Sequence, residues 1–203
     1  MKMYHKSLLL LGIFLTRATP AMDLSPLLSV GFDFGGEKMA SFTYTDGKER
    51  SFRAASLATV TTGASLANPI SDLDLSTRVS FGFKAVGLSA SNASLDFFRW
   101  IFEVSEYFAF AEAPVQIGAG LSYHFSNKLN ATGDAAALTS SVDPSLGVFV
   151  QGEYFLYQDK ELFLGVKSAS VGLRLIHQSY TTQINPSEKI GASGAGVHMN
   201  LFW

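Results

Sequence analysis

The stretch Gly194–Trp203, GAGVHMNLFW, closes the sequence, and every second residue of it is apolar: Ala195, Val197, Met199, Leu201 and Trp203. Gly194, Gly196, His198, Asn200 and Phe202 fill the gaps. Successive side chains of a β-strand point to opposite faces, so this segment reads as a strand with one greasy side. Chain ends are ordinarily polar and frayed unless something ties them down, and a half-buried strand needs neighbours on both edges. A closed barrel supplies both neighbours.

The same alternation recurs upstream. From Leu73 to Lys84 one face carries Leu73, Leu75, Thr77, Val79, Phe81 and Phe83, and the other carries Asp74, Ser76, Arg78, Ser80, Gly82 and Lys84. Val115–Ser126 places Val115, Ile117, Ala119, Leu121, Tyr123 and Phe125 opposite Gln116, Gly118, Gly120, Ser122, His124 and Ser126. Ser145–Phe155 sets Leu146, Val148, Val150 and Tyr154 against Gly147, Phe149, Gln151 and Glu153. Val171, Leu173 and Leu175 alternate with Gly172 and Arg174.

Three further segments bring the number of strands to eight. Leu28, Val30, Phe32 and Phe34 begin one that is expected to continue through Gly35-Gly36 to Ala40, Phe42 and Tyr44, with Asp46-Gly47 as a tight hairpin turn. Phe52–Leu66 returns with Ala58, Val60, Ala64 and Leu66, and Phe98–Phe110 is strongly aromatic. Two segments break phase: Glu106 falls in step with Phe102 and Phe108, and Leu162-Leu164-Val166 has the opposite parity to Val171-Leu173-Leu175. A β-bulge in each would restore the alternation.

Short turns are expected at 69–72, 111–114 and 158–161, and mostly longer connections, rich in Ser, Asn, Asp, Thr and Pro, near 46–50, 87–95, 127–144 and 178–190. Short turns on one rim and longer loops on the other, with an even strand number, match an eight-stranded antiparallel up-and-down transmembrane β-barrel with short periplasmic turns and longer extracellular loops. The fold class is all-β, and residues 22–203 form one domain.

Residues 1–21 read as a cleaved signal peptide. Lys2 and Lys6 supply the basic start, Ser7–Leu15 the apolar run and Thr19-Pro20-Ala21 a small-residue cleavage site. The apolar run is far short of the roughly 20 residues of a spanning helix. The chain has no cysteine, so disulfides and thiol chemistry are excluded. A formal charge of −2, more acidic once Lys2, Lys6 and Arg17 are removed, argues against nucleic acid as a partner.

Alternation alone does not say which face meets water. In a soluble small barrel the apolar face lines the interior, and in a membrane barrel the faces exchange roles. Large aromatics on the apolar face near strand ends (Trp100, Tyr107, Tyr123, Phe125, Tyr154, Trp203) suit interfacial girdles. The opposite face mixes both signs of charge with glycine, which suits a small lumen filled by ion pairs. Asp74, Arg78, Lys84, Arg99, Glu103, Glu153 and Arg174 form the expected lumen network, with Arg78, Arg99 and Arg174 held by Glu103 and Glu153.

The final alternating strand with an aromatic last residue resembles the assembly signal of Gram-negative outer-membrane proteins, carried here by Trp203, Leu201 and Met199. The mature chain resembles the small barrels of the OmpA-transmembrane, OmpX and OmpW type, and the "VGFDFGG" and "IGAGLSYHF" segments are similar to porin-like barrels. The resemblance implies integral residence in the Gram-negative outer membrane, with its lipid, lipopolysaccharide and the barrel-assembly machinery as partners, and a monomeric state.

His124-Phe125-Ser126-Asn127 resembles the His-x-Ser-Asn element of PagL-type lipid A deacylases. A serine hydrolase needs a base beside its hydroxyl and an acid to orient that base. Leu138 stands where that acid would be, and Asp134 and Asp143 fall in a loop. Alternation points His124 and Ser126 into the lumen, away from a lipid substrate. His124 and His198 lie on separate strands without a clustered acid, so they read as lumen hydrogen-bonders and not as metal ligands. The expectation is a non-enzymatic barrel without cofactor or metal, its lumen filled and its loops exposed. The alternatives are a narrow OmpW-like solute channel and a lipid A-modifying enzyme.

The terminal pattern generates the first prediction. Deleting Trp203 should leave export and processing intact but lower the fraction of folded protein in outer-membrane preparations, counted by the shift in gel mobility on boiling. An unchanged folded fraction would contradict a role for Trp203 in assembly.

Overall fold

A computed structural model describes residues 24–43, 47–70, 73–89, 93–133, 136, 139–158, 163–181 and 189–203. The expected signal peptide, Asp134 and Leu138 lie outside the described residues. Eight long strands form the barrel wall: β1 (Leu24–Gly35), β4 (Leu57–Ile70), β5 (Leu73–Ser89), β6 (Ala93–Ala109), β7 (Val115–Gly133), β9 (Ser145–Tyr157), β10 (Ser168–His177) and β13 (Gly194–Phe202). Every neighbouring pair is antiparallel. The order β6-β5-β4-β1-β13-β10-β9-β7 is closed by a direct β6–β7 pairing, so the sheet has no free edge in the wall.

The terminal strand has the two neighbours its pattern requires. It pairs with β1 from Leu27↔Phe202 to Gly35↔Gly194 and with β10 from Ser168↔Phe202 to Ile176↔Gly194. Trp203 is tied down beyond the last pair. Its backbone N–H donates to the Pro26 carbonyl (3.1 Å), and its indole Nε1–H donates to the Leu164 carbonyl (3.0 Å).

The greasy face of each strand points outward. Phe32, Phe81, Phe102, Ile117, Leu121, Val150, Leu173 and Met199 are all exposed, Leu173 at 70%. Arg78, Lys84, Arg99, Glu103, Glu153 and Arg174 are buried inside. Polarity is therefore inverted relative to a water-soluble domain, whose charged side chains are almost never fully buried unless paired.

The remaining strands decorate the loop-side rim. β2 (Lys38–Thr43) and β3 (Glu49–Arg53) form a hairpin, β8 (Ser140–Val142) extends the wall beside β7, and β11 (Ser179–Thr181) pairs with β12 (Lys189–Gly191). Their inner side chains meet the protruding ends of the wall strands. Phe52, Ala54, Leu57, Leu95, Phe97, Leu129, Ala131, Val142, Tyr180 and Ala192 form one apolar cluster. That cluster caps the polar lumen.

Several expected boundaries move. The first strand does not run on to Tyr44: Gly35 and Gly36 take φ of 109° and 77°, backbone that glycine adopts readily, and the chain leaves the wall there to form the β2–β3 hairpin. Gly47 is left-handed in that hairpin's turn, while Asp46 lies outside the described residues. The described residues of the connections expected at 87–95 and 127–144 are largely strand, because their Ser, Thr and Asn residues pair across β5, β6 and β7, as in the Ser94–Thr132 hydroxyl contact of 2.8 Å. Residues 159–161 of the turn expected at 158–161 lie outside the described residues, and β10 begins only at Ser168. Before it comes a 3-10 turn, Phe163–Gly165, with Leu164 at φ 64°. Leu164 therefore belongs to a turn and Val166 follows it before β10 begins, which removes the supposed phase conflict.

Glu106 needs no bulge either. The β5–β6 register is unbroken through Thr77↔Glu106, and Glu106 faces outward, accepting a hydrogen bond from Thr77 Oγ1 (2.7 Å). Tyr107, expected among the outer aromatics, shares the parity of Glu103 and is buried inside. The β6–β7 irregularity lies where Arg99 faces Ser126 and Asn127: Phe98 pairs with Lys128 and Trp100 with Phe125. Ser126 takes φ 51° and is exposed instead of pointing into the lumen. The extra residue reverses the parity of β7, so Leu129 and Ala131 turn into the cap while Lys128 turns out.

The left-handed backbone at Ser126 is testable. Ser126→Val places a β-branched residue where φ is positive and should cost about 1–3 kcal/mol; Ser126→Gly should match or exceed the parent melting temperature. Equal melting temperatures for the Val and Gly variants would contradict the bulge.

Candidate functional site

The lumen is the only place where the wall strands bring chemistry-bearing side chains together among the described residues. From the short-turn rim toward the cap, three ion pairs are stacked. Arg78 Nη1 meets Glu153 Oε1 at 2.6 Å, Arg174 Nη1 meets Glu103 Oε1 at 2.8 Å, and Lys84 Nζ meets Asp33 Oδ2 at 2.6 Å. The first two pairs join strands three apart in the ring and cross the lumen, and Lys84 and Asp33 meet over the one strand, β4, that separates theirs.

Hydrogen bonds join the layers. Glu153 also accepts from Gln116 Nε2 (2.6 Å), Gln151 Nε2 (2.7 Å) and Ser170 Oγ (2.8 Å), and Arg174 Nε donates to Gln151 Oε1 (2.6 Å). Asp33 accepts from Thr59 Oγ1 (3.3 Å) and lies 3.1 Å from His198 Nε2. A carboxylate only accepts, so His198 Nε2 carries the proton.

A second chain runs up to the cap. Ser122 Oγ donates to Glu103 Oε1 (2.9 Å), which uses its only proton. His124 Nε2, 2.8 Å from the Ser122 Oγ, must then be the donor to it, and in that tautomer of the neutral imidazole Nδ1 accepts from the Tyr180 hydroxyl at 2.6 Å. Tyr180 in turn accepts from Arg99 Nη1. With a neutral His124 the donors run in one direction, Arg99 to Tyr180 to His124 to Ser122 to Glu103.

Aromatic rings fill the space between the charges. The Arg78 guanidinium lies 3.8 Å from the Tyr107 ring centre and 4.7 Å from that of Phe202, and Arg174 lies 4.1 Å from that of Phe149. Lumen glycines make room for these bulky groups. A Cβ at Gly118 would come within 2.4 Å of the Tyr107 ring, and one at Gly31 within 2.4 Å of the His198 ring. The space that glycine leaves open is therefore occupied by neighbouring side chains.

The expected site residues fall into three groups. Arg78, Lys84, Glu103, Glu153 and Arg174 enter the ion pairs. Asp74 does not, since it sits four residues closer to the short-turn rim than Arg78 and is exposed there. Arg99 is in the lumen but has no carboxylate: its Nη2 donates to the Ala54 carbonyl (3.1 Å), its Nη1 to Tyr180, and its Nε has no partner among the described residues. Asp33, outside the expected network, takes Lys84. Its signal is its place between the outward Phe32 and Phe34.

The His124-x-Ser126 pairing does not form, because the bulge turns Ser126 outward. His124 instead meets Ser122, which is fully buried and donates to Glu103, so its hydroxyl is not the donor to that histidine. His124 and His198 make separate contacts, and no group of three or more His, Asp or Glu side chains that could hold a metal occurs among the described residues. Outside the wall, Ser41 and Lys38 hydrogen bonds hold the exposed Glu49 carboxyl below its ordinary range.

Comparison of the chain with protein-family models and with curated proteins finds no match.

Breaking one layer should be costly. Glu103→Ala strands Arg174 and removes the acceptor of Ser122, and a broken buried pair costs about 3–5 kcal/mol; the melting temperature in detergent should fall sharply. Glu103→Ala combined with Arg174→Met should recover part of the loss, and Asp74→Ala should change nothing. A Glu103→Ala variant as stable as the parent would contradict the ion-paired lumen.

Proposed function

We propose that this chain is a non-enzymatic integral barrel of the Gram-negative outer membrane, with a side-chain-filled lumen and loops turned to the exterior. The observation that carries the reading is the inverted polarity: a continuous apolar outer wall surrounds an interior of ion pairs. In water such a wall would expose an apolar belt far larger than the few hundred Å² typical of monomeric soluble proteins. In lipid it is solvated, and closure pairs the wall's backbone groups internally.

Aromatic side chains on the outside support the same assignment. Phe81, Phe83, Phe98, Trp100, Tyr123 and Phe125 form a contiguous patch of stacked and edge-on rings on β5, β6 and β7. It lies toward the capped end, where an interfacial girdle would sit. Outer-membrane lipid, lipopolysaccharide and the barrel-assembly machinery are the proposed partners, and the proposed form is a monomer.

Three buried ion pairs, Tyr107, Phe149 and His198 within the lumen, and an apolar cluster over one mouth support a barrel that does not conduct. The purified protein in planar bilayers should show no discrete, reproducible conductance steps. Regular steps of fixed size would favour the OmpW-like channel and overturn the filled-lumen reading.

A further inference from the structure

The buried charge of the described lumen does not balance. Arg78, Lys84, Arg99 and Arg174 face only Asp33, Glu103 and Glu153, and the three ion pairs leave Arg99 over. Arg99 is 2% exposed and lies directly beneath the cap. Its two acceptors are neutral, a carbonyl and a phenol, and they belong to two different loop segments: Ala54 follows the β2–β3 hairpin, and Tyr180 lies in β11. One cation thus fastens both halves of the cap.

The edges of its guanidinium are unequally used. Nε and Nη2 form the side-on fork that grips a carboxylate with two parallel bonds. In Arg99, Nη2 holds the Ala54 carbonyl and Nε is buried with no acceptor. A neutral single acceptor occupies one prong of a two-pronged cationic site. Beside it lies a narrow void, lined by Lys84, Arg99, His124, Ala55, Gln178 and Ala192, that does not admit a water molecule while the cap is in place. Asp33 also borders the void, but it is committed to Lys84, His198 and Thr59.

We propose that Arg99 is a binding site for a small monocarboxylate, and that the cap is its gate. The ligand takes Nε and Nη2 together, displaces the Ala54 carbonyl and releases the segment between β3 and β4 from the lumen. Because the closed void is too narrow, binding and lifting of that segment are one linked event. The inference stands on the closed barrel and its cap, and it is independent of which solvent surrounds the wall.

The absence of cysteine makes the test direct. Ala55→Cys, in the full-length mature protein in detergent micelles, places a single thiol in the void, and its rate of alkylation reports cap opening. Formate should accelerate labelling saturably, by about tenfold at ten times its dissociation constant if it binds only the open form. Chloride at the same ionic strength should not.

Adding Arg99→Met should make labelling fast without formate and insensitive to it. Tyr180→Phe, which keeps the cation but removes one fastening, should raise the basal rate and retain the formate response, so the proposal stays testable if the Arg99 variant fails to fold. Equal effects of formate and chloride, no effect of either, or a formate response that survives Arg99→Met would each overturn it.

Discussion

The structure depends on one constraint: four cations and three carboxylates are buried in the described lumen, so three of the cations are held by the carboxylates and the fourth, Arg99, by a carbonyl and a phenol. An unpaired ion in such a place costs several kcal/mol even after relaxation. The wall answers with register. Because β1 pairs with β13 and β6 with β7, the ring is complete, and its alternation sends Asp33, Lys84, Glu103, Arg174, Arg78 and Glu153 to matched heights. A one-residue slip of any strand would send its charges to the outer face and its Phe and Leu residues inward. Ion pairing and the apolar wall therefore specify the same register twice.

The same inversion explains where apolar burial occurs at all. Most large hydrophobic side chains of the wall are outside, so the cap supplies the one extended buried apolar cluster among the described residues, built where β6 and β7 rise beyond the lumen and the loop hairpins fold against them. A single bulge at Ser126 makes this possible by turning Leu129 and Ala131 inward. At the opposite rim the chain end performs a smaller version of the same task. Phe202 closes over Arg78, while Trp203 reaches back to Pro26 and Leu164.

Period-two alternation is the strongest signal a strand carries, and it marks the eight wall strands and the inward face that carries Arg78, Glu103, Glu153 and Arg174, whereas the partner of Lys84, Asp33, was not among the expected residues and Arg99 takes no carboxylate. It failed where local backbone geometry resets the phase. Gly35-Gly36 ends β1, and the residues beyond continue its parity by coincidence within a separate hairpin. Nothing in the composition of Tyr123–Leu129 marks Ser126 as left-handed, so the motif it shares with His124 looked intact in the sequence and is split in space. Asp33 was legible from its position between Phe32 and Phe34. Tyr180 was not, because loop residues that fold back over a barrel have no periodicity that predicts their contacts. Asp74 shows the remaining gap: alternation gives the face of a side chain and not its depth, and at the rim the inner face is wet.

The central claim is that the apolar wall is solvated by lipid. Trp100 stacks on Phe81 at a centroid separation of 5.2 Å on the outer face, and Trp203 is the only other tryptophan. The most direct measurement is the fluorescence of a Trp203→Phe variant refolded into vesicles whose acyl chains carry bromine, a contact quencher. The account predicts strong quenching of Trp100 relative to unbrominated vesicles. A folded protein that remains monodisperse in aqueous buffer without detergent, or a Trp100 emission untouched by bromine, would contradict it.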